Sequence, residues 1–382
     1  MRIRTITTGV EFAETINYDA LENAAKCNAY AAKIFEKHGY EVETVRISTN
    51  PFEEYVKNAE KSEIPTIFSK LSDFCKESKI EFISIGEVSN PLYARNIADV
   101  LKLNESFSCS CNIGKIETGI NRENIGIAAE TIKRLAHETI QGLGNFQFCA
   151  SANCKPGIPF FPAGYHQGET SFAIGVECSD HVFQAFEDAG DYWVAEEILR
   201  KKLNNLFMPI EKIAQKVAHE TGIKFAGIDT SPSPGIKPDE SLAFAFEKLG
   251  LSRFGSHGTL AIASIITKVI KSLDVKTCGY AGLMLPVLED FGLAERANDN
   301  SYDLQNLLLY STVCGCGYDT IPIPGDTSVK TIENILLDVA TLGIRLDKPL
   351  SARIFPIAGK KAGEMTDFNS PYLVNCQIFD VK

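Results

Sequence analysis

The sequence lacks the features of several common protein classes. It contains no apolar run long enough to span a bilayer, no clustered block of Lys and Arg, and no secretory signal at its start. The net charge is −11, which is the opposite of the basic surface that nucleic-acid-binding proteins usually carry. We therefore expect a cytoplasmic protein that binds neither membranes nor nucleic acids.

Several catalytic signatures are also missing. The chain contains no GxxxxGK[ST] phosphate loop, no HExxH zinc motif and no GxSxG nucleophile elbow. Its Gly142-Leu143-Gly144 segment lacks the strand–turn–helix context of a dinucleotide site. These absences argue against P-loop kinases, zincins, α/β-hydrolases and simple NAD-dependent enzymes.

The cysteine content indicates reduced thiols. There are eleven cysteines in 382 residues, and neither an export signal nor a short disulfide-rich framework accompanies them. Cys27 and Cys75 fall within helical patterns and are expected to be small core residues. An odd number of cysteines in a long chain without an export signal favours the reducing cytoplasm.

Alternating strand and helix patterns predict an α/β fold. Strands are predicted at 2–8, 41–47, 81–86, 106–112 and 146–151, with helices at 17–38, 51–79, 91–103 and 121–142 between them. Further strands are predicted at 170–178, 224–229 and 352–356, and a long helix at 191–220 is expected to be interrupted near Pro209. No linker or low-complexity tract divides the chain, so residues 1–382 are predicted to form one compact domain.

A loop rich in Pro and Gly, residues 152–168, precedes the strand predicted at 170–178. It contains His166, and Glu169 follows three residues later. This pair could serve acid–base catalysis, or both residues could bind a metal ion. The alternative is a loop histidine that is hydrogen-bonded to the backbone.

The strand predicted at 224–229 ends in Asp229, followed by Thr230 and Ser231. A carboxylate and two hydroxyls at one strand end suit a hard cation or a polar ligand, which makes Asp229 a candidate metal ligand and Ser231 a candidate substrate-binding residue. The alternative is a turn in which Asp229 only caps the loop.

A third candidate, Ser256-His257-Gly258-Thr259, precedes a predicted helix. Free amides at a helix N-terminus bind anions, so Gly258 and Thr259 are candidate substrate-binding residues and His257 a candidate catalytic residue. Ser256 or Thr259 could instead cap the helix.

The fourth candidate is Cys314, in the segment Cys314-Gly315-Cys316-Gly317. The C-x-C spacing is too short for a usual structural zinc pair, and a thiol nucleophile would need a nearby base or a helix dipole. A tight turn with incidental thiols is the alternative.

Taken together, these segments resemble the bacterial and archaeal family known as domain of unknown function 711. The resemblance covers nearly the whole chain and rests on ordered motifs: residues 3–7, Cys111-Asn112-Ile113-Gly114, 118–121, 166–169, 227–229, 256–259, Cys314 with Asp319, 321–322 with 326–327, and 352–356.

The resemblance implies a β/α barrel of two half-barrels related in fold to the glycyl radical enzymes, with Cys314 at the position of their central-loop cysteine. The glycine motif that carries the radical in those enzymes is not found after Arg353, so a glycyl radical is not expected. Cys109, Cys154 and Cys316 are expected to be additions specific to this chain.

The leading hypothesis is a non-radical enzyme that acts on a small polar or anionic metabolite. His166, His257 and Glu169 would act in acid–base chemistry, with His166, Glu169 and Asp229 as ligands if a divalent metal is used. Asn112, Ser231, Gly258, Thr259 and Arg353 would bind the substrate, Arg353 by pairing with a carboxylate or phosphate. The alternatives are a metabolite-binding or regulatory protein, and an enzyme dependent on Cys314. A homo-oligomer is expected from the general frequency of oligomers.

Overall fold

Eleven strands form one mixed sheet in the computed structural model, which describes residues 2–381. The strands are β1 Arg2–Val10, β2 Glu41–Val42, β3 Val45–Thr49, β4 Ile83–Val88, β5 Phe107–Lys115, β6 Gly119–Ile120, β7 Phe148–Ala152, β8 Ser171–Glu177, β9 Lys224–Ser233, β10 Gly317–Pro324 and β11 Leu350–Ile357. The α/β class predicted from the sequence is therefore confirmed.

Thirteen α-helices accompany the sheet within the described residues. They are α1 Tyr18–Lys37, α2 Phe52–Tyr55, α3 Ile64–Glu77, α4 Pro91–Ala94, α5 Ile97–Leu101, α6 Arg122–Glu138, α7 Ser179–Ala189, α8 Tyr192–Thr221, α9 Leu242–Lys248, α10 Thr259–Ile270, α11 Phe291–Asn298, α12 Leu304–Tyr310 and α13 Val329–Arg345. Short 3-10 segments occur at Lys61–Glu63, Ile140–Phe146 and Pro238–Glu240. Among the helices between residues 2 and 381, none has the length and apolarity needed to cross a membrane.

The sheet consists of two groups of parallel strands that run in opposite directions. The strand order is β10-β11-β7-β5-β4-β3-β1-β8-β9, and the pairs β1–β8 and β11–β7 are antiparallel. The hydrogen-bonded path ends at β9 and β10, so the sheet is not closed. Single bridges join Thr277 to Ile228 of β9 and Pro286 to Asp319 of β10, which places the segment 277–286 alongside both end strands.

Buried side chains extend through the whole described chain. One hydrophobic cluster contains residues from Ile3 to Phe379. A second, smaller cluster joins β7 to the loop before β8, the segment 277–286 and the loop before β10. It contains Cys149, Cys154, Ile158, Phe160, Ala163, Tyr280, Met284 and Cys316. This second cluster forms one wall of the cavity that we describe below.

The local signals at helix starts are accurate. The side chain of Asn17 accepts a hydrogen bond from the Ala20 amide at 3.0 Å, and Asn121 accepts one from the Asn124 amide at 3.0 Å. Each asparagine thereby satisfies an amide that the first turn of the helix leaves without an intrahelical partner. The helix starts predicted at residues 17 and 121 therefore agree with α1 and α6.

The predicted interruption of the long helix at Pro209 is wrong. Helix α8 continues through Pro209, which lies on the exposed side, while Leu206, Phe207 and Ile210 are buried around it. An internal proline costs about 3 kcal/mol, whereas burying one large apolar side chain contributes about 1.5–3 kcal/mol. Burial of the apolar face therefore outweighs the lost hydrogen bond.

Strand β9 is longer than predicted. Residues 230–233, which were expected to form a loop, continue the strand as far as Ser233. Pro232 is tolerated there because β9 lies at one end of the hydrogen-bonded path, where a missing amide donor costs little. Asp229 consequently lies inside a strand and not at its rim.

Candidate functional site

His166 is a buried histidine that is hydrogen-bonded to backbone. Only 4% of the residue is exposed, and its Nε2 lies 3.2 Å from the Gly168 carbonyl and 3.1 Å from the Glu169 carbonyl. The ring also packs on Gly9 of β1, because a Cβ added at Gly9 would lie 2.1 Å from Nδ1. These contacts agree with the alternative interpretation of His166, a loop histidine that is hydrogen-bonded to the backbone.

The burial of His166 predicts a pH dependence of stability. Burial lowers the pKa of His166 below its ordinary value of 6.5, so the unfolded chain binds a proton more readily than the folded chain. Stability contributed by the neutral ring is present above pH 6.5 and is lost as the pH falls from 6.5 towards the lowered folded-state pKa. In urea unfolding between pH 5 and 8, His166→Gln should show a flatter profile than the wild type. His257→Gln, at an exposed histidine, serves as the control, and equal slopes in all three proteins would contradict the prediction.

Asp229 organises two backbone segments. Its Oδ1 accepts hydrogen bonds from the Ser231 hydroxyl at 2.6 Å, the Ser231 amide at 3.1 Å and the Ala281 amide at 3.1 Å. Its Oδ2 accepts one from the Tyr280 amide at 2.8 Å. Both oxygens are thus occupied, and the fully buried carboxylate fixes the loop that carries Tyr280. Ser231 belongs to the same structure, since its hydroxyl accepts a hydrogen bond from the Gly282 amide at 3.0 Å.

His257 and Gly258 directly precede α10, and Thr259 is its first residue and is buried. The His257 side chain is exposed, and Gly258 has a φ of +108° that a side chain would strain. The Thr259 hydroxyl donates to the Ser256 carbonyl at 2.8 Å and accepts from the Gly255 amide at 3.1 Å. The Thr259 amide also donates to the Ser256 carbonyl. These groups therefore stabilise a turn, and their donors are not free to bind an anion.

Cys314 lies in the core, away from the cavity described below. It is 1% exposed and belongs to the large hydrophobic cluster, and its amide donates to the Tyr310 carbonyl at 2.8 Å. Cys316, two residues later, belongs to the smaller cluster and lines the cavity. Burial raises the pKa of the Cys316 thiol well above its usual value, which disfavours the thiolate.

His166, Asp229 and His257 share no hydrogen-bond partner among the described residues, and the catalytic roles predicted for them stay predictions. The Glu169 side chain is also separate, because it is exposed and lies 3.7 Å from Lys224. Within residues 2–381, no group of three His, Cys, Asp or Glu side chains has a metal-binding arrangement. His166, Glu169 and Asp229 therefore do not form the predicted set of metal ligands. The physical reason is that His166 bonds to the backbone of its own loop, while both oxygens of Asp229 accept hydrogen bonds from Ser231 and from the segment that carries Tyr280.

Arg353 lines the cavity where charged residues do converge. The cavity has a volume of about 100 Å³ and lies near the amino-terminal ends of β3 and β5 and the carboxyl-terminal end of β9. Its charged lining consists of Arg4, Arg46, Glu105, Glu289, Asp319 and Arg353. At roughly 30 Å³ for each water molecule, it holds about three waters or one compact ligand.

Arg353 is fully engaged with two carboxylates. Its Nε lies 2.6 Å from Asp319 Oδ1 and its Nη2 lies 2.8 Å from Glu289 Oε2, while the guanidinium also stacks on Phe146. Burial disfavours the charge, but Asp319 and Glu289 outweigh it and raise the pKa of Arg353. Burial raises the pKa of Asp319, whereas the positive charge of Arg353 acts to lower it.

Arg4 is paired in the same way. It forms ion pairs with Glu43 and, at 3.8 Å, with Glu177. Burial raises the pKa of Glu177 to about 7, although Arg2 and Arg4 oppose that effect. The two arginines Arg4 and Arg353 thus have their positive charges balanced by carboxylates of the protein.

Arg46 is the exception in this cavity. Among the described residues no carboxylate lies within ion-pair distance of its guanidinium, whose Nε donates to the Thr44 hydroxyl at 3.0 Å. The guanidinium lies between two aromatic rings, 5.4 Å from the Phe82 centroid and 5.2 Å from the Phe161 centroid. Burial, followed by repulsion from Arg4, lowers the pKa of Arg46 to about 9. An anion in the cavity would relieve both effects.

Asn112 is buried in β5 but does not line this cavity. Its side chain lies near Glu87, on the part of the sheet where β4, β5 and β7 end. Of the residues predicted to bind substrate, only Arg353 lines the cavity. Arg4, Arg46, Glu289 and Asp319 were missed as site residues, and the available signal was a charged residue inside an apolar strand pattern, as in Val45-Arg46-Ile47.

Comparisons with known proteins agree with the family resemblance. The chain is 27% identical to a UPF0210 protein of Neisseria meningitidis and to one of Actinobacillus pleuropneumoniae, with 96% of this chain and 87% of each relative covered. It is also 27% identical to a UPF0210 protein of Oenococcus oeni, of which 88% is covered. The family model described as Uncharacterised ACR (DUF711) matches residues 1–369. The chain therefore belongs to the DUF711 family.

Proposed function

We propose that this protein binds a small anionic metabolite in the cavity between Arg46 and Arg353. One observation carries the proposal: among residues 2–381, Arg46 is the cavity arginine that forms no ion pair with a carboxylate, whereas Arg4 and Arg353 each form at least one. Arg46 is half-buried, and a cation that has lost part of its hydration without gaining an ion pair is costly. A bound carboxylate or phosphate would supply a paired negative charge.

The geometry of Arg46 supports a planar or tetrahedral oxyanion. Its Nε donates to Thr44 and its guanidinium lies over the Phe82 and Phe161 rings, while neither Nη group donates a hydrogen bond to another described residue. Arginine binds carboxylate and phosphate through two parallel hydrogen bonds from the edge of its guanidinium. A cavity of about 100 Å³ favours a compact anion.

We further propose that the bound anion is a substrate and that Asp319 is the acid–base group. Asp319 lines the cavity, its pKa is raised by burial, and Arg353 holds its carboxylate at 2.6 Å. A carboxyl group with a raised pKa in a cavity is typical of acid–base catalysis. The reaction would be non-radical, and the cavity thiols Cys149 and Cys316 have pKa values that burial raises well above normal.

A binding or regulatory protein is the second candidate function. It is favoured by the ion pairs that Glu289 and Asp319 both form with Arg353. Among residues 2–381, Glu105 is then the cavity carboxylate without an ion pair. NMR of the small molecule shows whether a bound anion is chemically converted, and this distinguishes an enzyme from a binding protein. Binding without conversion supports the second.

We also propose that the fold is a barrel of two half-barrels, similar to that of the glycyl radical enzymes. The two oppositely directed groups of strands support this, together with the segment 277–286 that bridges β9 and β10. A crystal structure in which β9 and β10 remain separated by solvent would contradict it.

Thermal unfolding in the presence of small anions tests the binding proposal. A ligand that binds only the folded state at 100 times its Kd stabilises it by about 2.7 kcal/mol. We expect short monocarboxylates or inorganic phosphate to raise the Tm of the wild type by several degrees, beyond the effect of matched concentrations of NaCl. A panel in which no anion exceeds the NaCl effect would contradict the proposal.

A further inference from the structure

The cavity that contains Arg46 has one apolar, uncharged wall. Six residues of the smaller hydrophobic cluster form this wall, and each is at most 9% exposed: Cys149, Phe160, Ala163, Tyr280, Met284 and Cys316. The Arg46 guanidinium lies over the ring of Phe161, the neighbour of Phe160, and all three residues line the cavity. A ligand in this space therefore meets a cation and an apolar surface together.

The polar atoms of this apolar wall are used within the protein. The Tyr280 hydroxyl donates to Ser351 Oγ at 3.0 Å, and the Ser351 hydroxyl donates to the Cys316 carbonyl at 3.1 Å. Burial raises the pKa values of the Cys149 and Cys316 thiols well above normal, so both thiols are neutral at pH 7. A neutral buried thiol behaves as a small apolar group. The wall consequently offers a ligand apolar surface and no charge.

The remaining charges of the cavity disfavour a ligand with two negative groups. Arg353 pairs with Glu289 and Asp319, and Arg4 is also paired with a carboxylate. Among the described arginines that line the cavity, Arg46 is therefore the one left for an oxyanion. A second negative group would lie against the cavity carboxylates or against the apolar wall, and a charge is costly to bury in either place.

We propose that the ligand is a small monocarboxylate with a short aliphatic chain, whose carboxylate pairs with Arg46 and whose chain lies on the apolar wall. This inference rests on the anion site proposed above and narrows its ligand to monoanions with an apolar part. A cavity of about 100 Å³ holds roughly three groups the size of a water molecule, which limits the chain to a few carbon atoms. Acetate, propionate and butyrate represent the class. Succinate is the matched comparison, because it is butyrate with a second carboxylate in place of the terminal methyl group.

Isothermal titration of the wild type with these anions tests the proposal. Each methylene that moves from water to an apolar surface strengthens binding about fourfold, so butyrate should bind roughly 15-fold more tightly than acetate. Succinate and inorganic phosphate should bind at least about tenfold more weakly than butyrate, because their additional charge has no partner. Equal binding of acetate and butyrate would overturn the proposal, as would succinate or phosphate that binds as tightly as butyrate.

The same titrations with Arg46→Met separate this proposal from the anion site on which it rests. Acetate and butyrate share the carboxylate, so the variant should weaken the binding of both by a similar factor. If no anion of the panel binds, or if Arg46→Met binds as the wild type does, the anion site fails and this proposal fails with it. If the anions require Arg46 but show no preference for a chain, only the monocarboxylate class is wrong.

Met284→Gln tests the apolar wall with a side chain of similar size. The variant places a polar amide on the wall, so the preference for butyrate over acetate should fall at least about fourfold while acetate binding changes little. Met284→Leu keeps the wall apolar and should keep the preference. Met208→Gln, at a methionine of α8 that is 40% exposed, is the matched control.

Urea titration shows which of these variants are folded. An unchanged preference for butyrate in folded Met284→Gln would overturn the placement of the chain on this wall. If Met284→Gln does not fold, Cys316→Ser replaces it, because it changes the wall from a thiol to a hydroxyl of similar shape. The wild-type panel decides the ligand class in either case.

Discussion

Replacing Arg46 by methionine is expected to weaken the binding of small anions by at least about 30-fold. The change removes the cavity cation that has no carboxylate partner, while methionine keeps much of the apolar stem between Phe82 and Phe161. Hydrogen bonds to charged groups contribute roughly 1.5–3 kcal/mol each, and about 2 kcal/mol corresponds to 30-fold in Kd. Isothermal titration with the anion that stabilises the wild type most strongly measures the effect.

The specificity of that result depends on two comparison variants. Arg122→Met removes an exposed arginine at the start of α6 and should leave the Kd within about twofold, because exposed charges act weakly through solvent. Arg46→Lys keeps the charge but loses the paired Nη donors, so its Kd should fall between the wild type and Arg46→Met. Equal binding by Arg46→Met and the wild type would refute the proposed anion site.

Loss of binding in Arg46→Met should not arise from unfolding. The guanidinium is opposed by burial and by repulsion from Arg4, both of which lower its pKa. Removing such a charge is expected to leave the free energy of unfolding unchanged or to raise it, as measured by urea titration without ligand. A large destabilisation would contradict this expectation and show that the contacts of Arg46 with Thr44, Phe82 and Phe161 outweigh the cost of its burial.

Local signals in the sequence were sufficient for most of the fold. The alternation of apolar positions located β1 and α1, and the asparagines before α1 and α6 marked both helix starts. The failures at Pro209 and at residues 230–233 have a common cause. In each case a residue that breaks regular structure locally was outweighed by its tertiary position, an exposed helix side for Pro209 and an end strand for Pro232.

The site was harder to predict because a polar residue that the sequence places near a strand end can stabilise the fold as well as bind a ligand. His166 and Asp229 were selected as reactive groups, yet both satisfy backbone donors or acceptors in their own neighbourhood. Arg46 and Glu289 are distant in sequence, and only the tertiary fold brings them to one cavity. An arginine within an apolar strand, as at Arg4 and Arg46, was the local indication that the interior contains charge.

Replacing Arg353 by methionine should strongly lower the free energy of unfolding, in contrast to Arg46→Met. Arg353 has a side chain that is 8% exposed, and it holds Glu289 and Asp319, each 14% exposed. Its removal leaves two buried carboxylates without their cation, and breaking a buried ion pair in this way costs about 3–5 kcal/mol. We expect a loss of that size in the free energy of unfolding at pH 7.

The pH dependence and a compensating variant identify the cause of that loss. Without Arg353 the folded-state pKa of Asp319 rises further above its ordinary value, because burial and Glu289 then act unopposed by that cation. A carboxyl group with a raised folded-state pKa destabilises the protein above its unfolded pKa, so the deficit should shrink as the pH falls towards 5. The triple variant Arg353→Met/Glu289→Gln/Asp319→Asn should recover most of the stability at pH 7, since it leaves neither carboxylate. A deficit that is the same at pH 5 and 7 and persists in the triple variant would show that Arg353 stabilises by packing on Phe146 and not by charge.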